Sequence, residues 1–155
     1  MQSMSELDKI QMHVTMSLTQ VARAYTYAAD KLASNFGLSQ ATAWPAVMIG
    51  RIGDGARPGV VADFLGLEPS SLVRVMDQLT ESGLVERRED PNDRRAKILR
   101  LTSEGKKRVA QIEQALIPFR RGLLKGVSIA DLEACQRVLN ALHESIRRKE
   151  DNRSA

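Results

Sequence analysis

Leu7, Ile10, Val14, Leu18, Val21, Tyr25, Ala28, Leu32 and Phe36 recur at steps of three or four, which lays one apolar stripe along a long N-terminal helix. Gly37 follows, where a helix-ending glycine is expected. A stripe of that length has little within its own chain to lie against, so burial against a second copy is expected. Ser39 suits the cap of a second helix reaching about Ile52, and Pro45 inside it, lacking an amide donor, is expected to kink or delay that helix. After the turn Ile52-Gly53-Asp54-Gly55-Ala56, Pro58 fits a first helical position. Val60, Val61, Phe64 and Leu65 then form a short helix's apolar face, closed by Gly66.

Pro69 opens the next helix, with Leu72, Val75, Met76 and Leu79 facing inward and Ser70, Ser71, Val73, Arg74, Asp77 and Gln78 facing away; Gly83 ends it. Residues 58–83 therefore read as helix, tight turn, helix, the second helix presenting small hydroxyls and an arginine near its start. Two β-prone runs around Pro91-Asn92-Asp93, spanning about 84–101, make a charged hairpin placed where a wing would be. Thr102 caps the following helix, with Glu104 favourable in its first turn and Val109, Ile112, Leu116 and Phe119 inward; Pro118 is expected to bend it. Ser128 and Asp131 form a capping pattern for a last helix that is expected to bury Leu132, Cys135, Val138, Leu139, Leu142 and Ile146 and to fray at its basic end.

Composition agrees with this mainly helical reading. The 155 residues are 43% hydrophobic and only 4% aromatic, one domain's length with an aliphatic core. Charges interrupt every apolar run before a membrane span could form, and the N-terminus lacks a secretory pattern, so a cytoplasmic protein without membrane attachment is expected. A single cysteine and two histidines, His13 and His143, exclude an intrachain disulfide and are too few for a closed zinc site; no metal or cofactor is expected. The net charge of +4 is concentrated: residues 84–108 hold 9 basic and 5 acidic side chains, an excess as large as the whole chain's. A localised phosphate-binding element and a merely solvated basic hairpin both fit that count.

Residues 38–108 resemble the MarR family of bacterial winged helix-turn-helix regulators. The resemblance rests on the recognition helix running into Gly83-Leu84-Val85-Glu86-Arg87, on the wing signature Asp90-Pro91-Asn92-Asp93-Arg94-Arg95, and on Leu101-Thr102-Ser103-Glu104-Gly105. It implies a mainly α fold over 1–155 as a single domain. Residues 38–102 would form the winged helix-turn-helix, with a small β-hairpin wing at about 84–101, and 1–37 and 103–155 the dimerisation helices. It implies a homodimer that sets paired recognition helices in successive major grooves of a pseudo-palindromic double-stranded operator, with wings reaching minor grooves. This sequence departs from the pattern at Glu68, where a better cap is usual, at Arg57-Pro58-Gly59, which replaces a capped helix start, and at Pro45.

Residue chemistry and resemblance agree on Ser70, Ser71, Val73, Arg74 and Gln78 as the groove-facing set: Arg bonds guanine bidentately, Gln adenine, Val a thymine methyl, and the serines phosphates or base edges. The alternative is an ordinary exposed helix face. By the resemblance, Asp93 orients the wing while an arginine of Arg94 and Arg95 enters the minor groove; the alternative is a solvated turn with Asp90 and Asp93 as local ion-pair partners. Arg87 and Lys97 are read as wing support, and with Arg88 and Arg100 either contact phosphates or keep the hairpin soluble. Trp44, Met48, Tyr25 and Met16, with Met12 and Tyr27, are candidates for lining an effector pocket for an aromatic compound, although for most of them helical spacing suits plain core better. Cys135 is read as a core side chain. The expected function is a transcriptional regulator, a repressor released by a small molecule. A protein-interaction module without operator binding is the alternative. A small enzyme is a further one, against which no nucleophile–base–acid set, phosphate loop or metal spacing is found.

Overall fold

The computed structural model describes residues 4–154. Among them are six α-helices and one antiparallel hairpin, in the order α1 (Glu6–Ser34), α2 (Gln40–Ile52), α3 (Pro58–Leu65), α4 (Pro69–Glu81), β1 (Val85–Asp90), β2 (Asp93–Leu101), α5 (Ser103–Leu123) and α6 (Ile129–Ser154). A short 3₁₀ turn, Gly53–Gly55, links α2 to the approach to α3. The mainly helical, winged helix-turn-helix expectation is met. Two compact units divide the chain, residues 4–117 and 118–154, with the division falling at Pro118 inside α5.

In the first unit, α2 is the central element, packing against α1, α3, α4 and β2. Ala43, Ala46, Val47 and Ile49 on α2, Val61 and Ala62 on α3, Leu72, Met76 and Leu79 on α4, Leu84, Val85, Ile98 and Leu99 of the hairpin, and Val109, Ile112 and Leu116 on α5 are all buried. These small and aliphatic side chains allow close helix packing with few aromatic rings.

Several expectations need correction. Pro45 does not delay α2, which begins at Gln40 and continues through the proline to Ile52. The proline is the sixth helical residue, so only one bond, to the Ala41 carbonyl, is lost, and burial of the ring among core residues offsets it. Ser39 occupies the α2 cap position with extended backbone, but its hydroxyl meets Thr42 Oγ1 at 2.8 Å instead of a backbone amide. On α3, Val60 and Phe64 face outward, Phe64 at 64% exposure, while Val61 and Ala62 face the core. The eight-residue helix turns too little surface inward to hide both. One cap escaped the sequence reading: Ser5 and Asp8 form a reciprocal capping box at the start of α1, signalled by the spacing Ser-x-x-Asp.

Leu7, Ile10, Val14 and Val21 on α1 are exposed, and only Ala29 and Ala33 of that helix are buried. In the second unit Ser128 accepts from the Asp131 amide at 3.1 Å and donates to its carboxylate at 2.7 Å, as the capping pattern predicts. The apolar stripe of α6 is not core in the single chain. Leu132, Val138, Leu139 and Ile146 are exposed, and so is Cys135, because this unit holds one long helix and no second layer to cover it. The basic end is helical as far as Ser154.

Candidate nucleic-acid interface

The α3–α4 turn is built from local rules. Gly66 takes φ 62°, a left-handed conformation that costs glycine nothing, and the Leu67 amide returns to the Ala62 carbonyl at 3.0 Å. Pro69 starts α4, with the Glu68 side chain making no cap bond. Leu72, Met76 and Leu79 anchor one face, and that choice fixes the other: Ser70, Ser71, Val73, Arg74 and Gln78 are all exposed along it. Arg74 joins no ion pair among the described residues, so its planar fork of donors is available to a partner. Asp77, beside this face, is held by Arg87 of β1 at 2.5 Å, a direct tie between helix and hairpin.

The hairpin pairs Val85 with Leu101, Glu86 with Arg100, Arg87 with Leu99, Arg88 with Ile98 and Glu89 with Lys97, then steps to Asp90 opposite Asp93. Arg94, Arg95 and Ala96 fall within that step and face no residue of β1. A register step releases backbone from the ladder and re-aims side chains. Both arginines are exposed, and neither is in an ion pair among the described residues. The other hairpin cations are all engaged: Arg87 with Asp77, Arg88 with Glu86 at 2.8 Å, Lys97 with Glu89 at 3.6 Å and Arg100 with Asp54 at 3.3 Å. Asp93 accepts the Arg95 amide at 3.0 Å, shaping the backbone next to the tip. Asp90 does not pair with the tip arginines. It is buried, one oxygen accepting from Arg57 and the other from the Asn92 amide at 2.9 Å, and these bonds hold its carboxyl below the usual carboxylate range, the amide contributing most.

At the hairpin's base, the Thr102 amide donates to the Leu84 carbonyl at 3.0 Å, and its hydroxyl donates to the Gly83 carbonyl at 2.5 Å and accepts from the Gly105 amide at 3.1 Å. One threonine thus caps α5 and closes the wing. On β2 the Leu99 amide bonds the Ala56 carbonyl at 2.8 Å, fastening the hairpin to the lead into α3. Sequence reasoning missed Arg57 and the closure at Gly105, since both contacts join residues far apart or depend on backbone approach.

The candidate pocket residues are only partly gathered. Trp44 is half-buried with the Arg51 guanidinium 5.6 Å from its ring centroid, and Arg51 is forked onto Glu113 of α5 at 2.7 and 3.0 Å. The hydrogen bonds to Glu113 raise the arginine's pKa above its ordinary value, outweighing the opposing effect of burial, so its charge is secured. Met48 is half-buried on α2, whereas Met16 is exposed on α1. None of these four lines the cavity of about 390 Å³ bordered by Ser39, Thr42, Gln78, Ser82, Glu104 and Arg108. No group of three or more metal-ligating side chains occurs among the described residues.

The sequence profile of the MarR family matches residues 36–96. The chain is 31% identical to transcriptional regulator PA3341, with a TM-score of 0.80 covering 87% of this chain and 98% of that one. It is 25% identical to CouR from Rhodococcus jostii RHA1, solved bound to p-coumaroyl-CoA, with a TM-score of 0.74 over 83% of this chain and 90% of CouR. A variant of MarR from E. coli, solved in complex with operator DNA, is 21% identical with a TM-score of 0.71, covering 89% of this chain and 99% of its own, a likeness of fold.

Proposed function

This chain belongs to the MarR family of transcriptional regulators, and from that premise we propose that it binds a pseudo-palindromic double-stranded operator as a homodimer. Residues 1–155 act as one MarR-like domain in this reading: 38–102 read DNA, while the helices of 1–37 and 103–155 pair with the second copy. In each protomer α4 enters a major groove with Ser70, Ser71, Val73, Arg74 and Gln78, and Arg94 and Arg95 reach the neighbouring minor groove. Asp93 orients the wing, while Arg87 and Lys97 support it. The observation that carries this is an exposed helix face bearing an unpaired arginine beside a hairpin whose only unpaired cations are its two tip arginines.

Repression relieved by a small molecule follows the family pattern, and CouR's complex with p-coumaroyl-CoA supports a ligand carrying an aromatic group. Trp44 and Tyr25 near Arg51, together with Met48, are the side chains we assign to such a ligand, with Met16 joining only across a dimer. Cytoplasmic residence and a non-enzymatic role belong to the same reading; no helix among the described residues is long and apolar enough to cross a membrane. Binding is tested with a duplex selected by the protein from a random-sequence pool. A dimer by sedimentation, half-sites spaced about 10 bp apart, and loss of affinity in Arg94→Ala/Arg95→Ala are expected. Arg74→Ala should weaken binding and relax preference at one base, by roughly 1–3 kcal/mol. A stable monomer, or a folded double variant with parental affinity, would overturn the reading.

A further inference from the structure

Resting on that reading of the wing, we propose that Arg57 is a positioning residue for minor-groove recognition, holding through Asp90 the turn from which Arg94 and Arg95 project. Arg57 stands at the cap position of α3, yet its side chain gives no bond to that helix. It crosses instead to the hairpin, where Nε and Nη2 both donate to Asp90 Oδ2, at 3.1 and 2.5 Å. The second carboxylate oxygen accepts the Asn92 amide at 2.9 Å. Asp90 is therefore divided between the arginine on one side and the tip turn on the other, and it sits at the register step just before the unpaired arginines.

The arginine's own backbone is fixed. Its amide donates to the Gly55 carbonyl at 2.8 Å, its carbonyl accepts the Val61 amide at 3.0 Å, and the adjacent Ala56 carbonyl accepts from Leu99 of β2 at 2.8 Å. Ala56–Leu99, Arg87–Asp77 and Arg100–Asp54 fasten the hairpin nearer its base; Arg57–Asp90 is the fastening close to the tip. That last tie holds the end of the hairpin that the others leave free to bend. A buried carboxylate whose charged partner is removed must find water or move, and either change alters the turn carrying Arg94 and Arg95.

Arg57 is half-exposed, so a direct phosphate contact is the competing explanation for any effect on binding. The experiment uses the full-length protein and a duplex that it selects from a random pool, prepared with A·T-rich and with G·C-rich flanks. Affinities are measured for the parent, Arg57→Ala, Arg94→Ala/Arg95→Ala and the triple variant. Positioning predicts that Arg57→Ala weakens binding about tenfold, the size of a coupled-network effect. It should lower the A·T-flank preference while leaving discrimination at bases read by α4 intact, and add less than about twofold in the double-variant background. Additive losses would assign Arg57 to a phosphate and overturn the proposal, and a uniform loss on every duplex would reduce it to a folding effect.

Asp90→Asn gives the opposite-signed check and serves if Arg57→Ala does not fold. Removing a negative charge near DNA ordinarily strengthens binding. Weaker binding with lost flank preference is expected, and stronger binding overturns the proposal. If Arg94→Ala/Arg95→Ala itself binds like the parent, the wing reading fails and the positioning role with it; if only the Arg57 and Asp90 variants bind like the parent, the positioning role alone fails.

Discussion

A methyl group on residue 105 would lie 2.0 Å from the Leu84 carbonyl oxygen, closer than any stable contact and against backbone that cannot swing aside. Gly105→Ala gains helix propensity of at most about 1 kcal/mol, and the clash outweighs it. We expect a net destabilisation of about 2 kcal/mol, read as a fall of several degrees in Tm, because α5 must withdraw from the root of the wing. A Tm equal to or above the parent's would show that α5 and Leu84 separate freely. The glycine stood in a recognised motif, but its reason, a close backbone approach across the wing base, exists only in three dimensions. Groove-facing residues were legible for the opposite reason: once Leu72, Met76 and Leu79 are inward, helical geometry alone turns Ser70, Arg74 and Gln78 outward. Arg57 was not legible as a partner, since the carboxylate it meets is 33 positions away and nothing local announces it.

At the scale of elements, the hairpin was readable from its turn residues and the two β-prone runs around them, and its register step was not, because pairing depends on both strands together. The outward turn of Phe64 on α3 and the tolerance of Pro45 in α2 arise similarly from what neighbouring elements cover. The link between hairpin and α3 lead has a signature in acid. Asp90 has a lowered carboxyl pKa in the folded protein, so its contribution to stability is complete above the unfolded value of about 4 and fades as pH falls through the lower folded value. The Tm difference between parent and Asp90→Asn should be constant from neutral pH down to about 5 and close below about 4. A gap unchanged down to pH 2.5, or one closing near neutrality, would place the effect elsewhere.

For the whole molecule, periodicity marked the apolar stripes of α1 and α6 and assigned the first to a second copy but the second to the core, whereas one chain leaves Leu7, Val21, Val138 and Ile146 alike in contact with water. That exposure is what a second protomer would remove, and it also moves Cys135 from core to surface in the single chain. The pairing of hairpin cations has a consequence in the ion atmosphere of DNA. A cation already neutralised by a carboxylate of its own chain displaces few condensed counterions when it approaches a phosphate. Of Arg74 and the six hairpin cations, only Arg74, Arg94 and Arg95 are unpaired, so two protomers bring about six effective charges and not fourteen. The logarithm of operator affinity should then fall against the logarithm of salt concentration with a slope of about −5, where full engagement would give about −13. A slope steeper than about −10 in a salt titration would mean that the internal pairs open on the duplex and trade their carboxylates for phosphates.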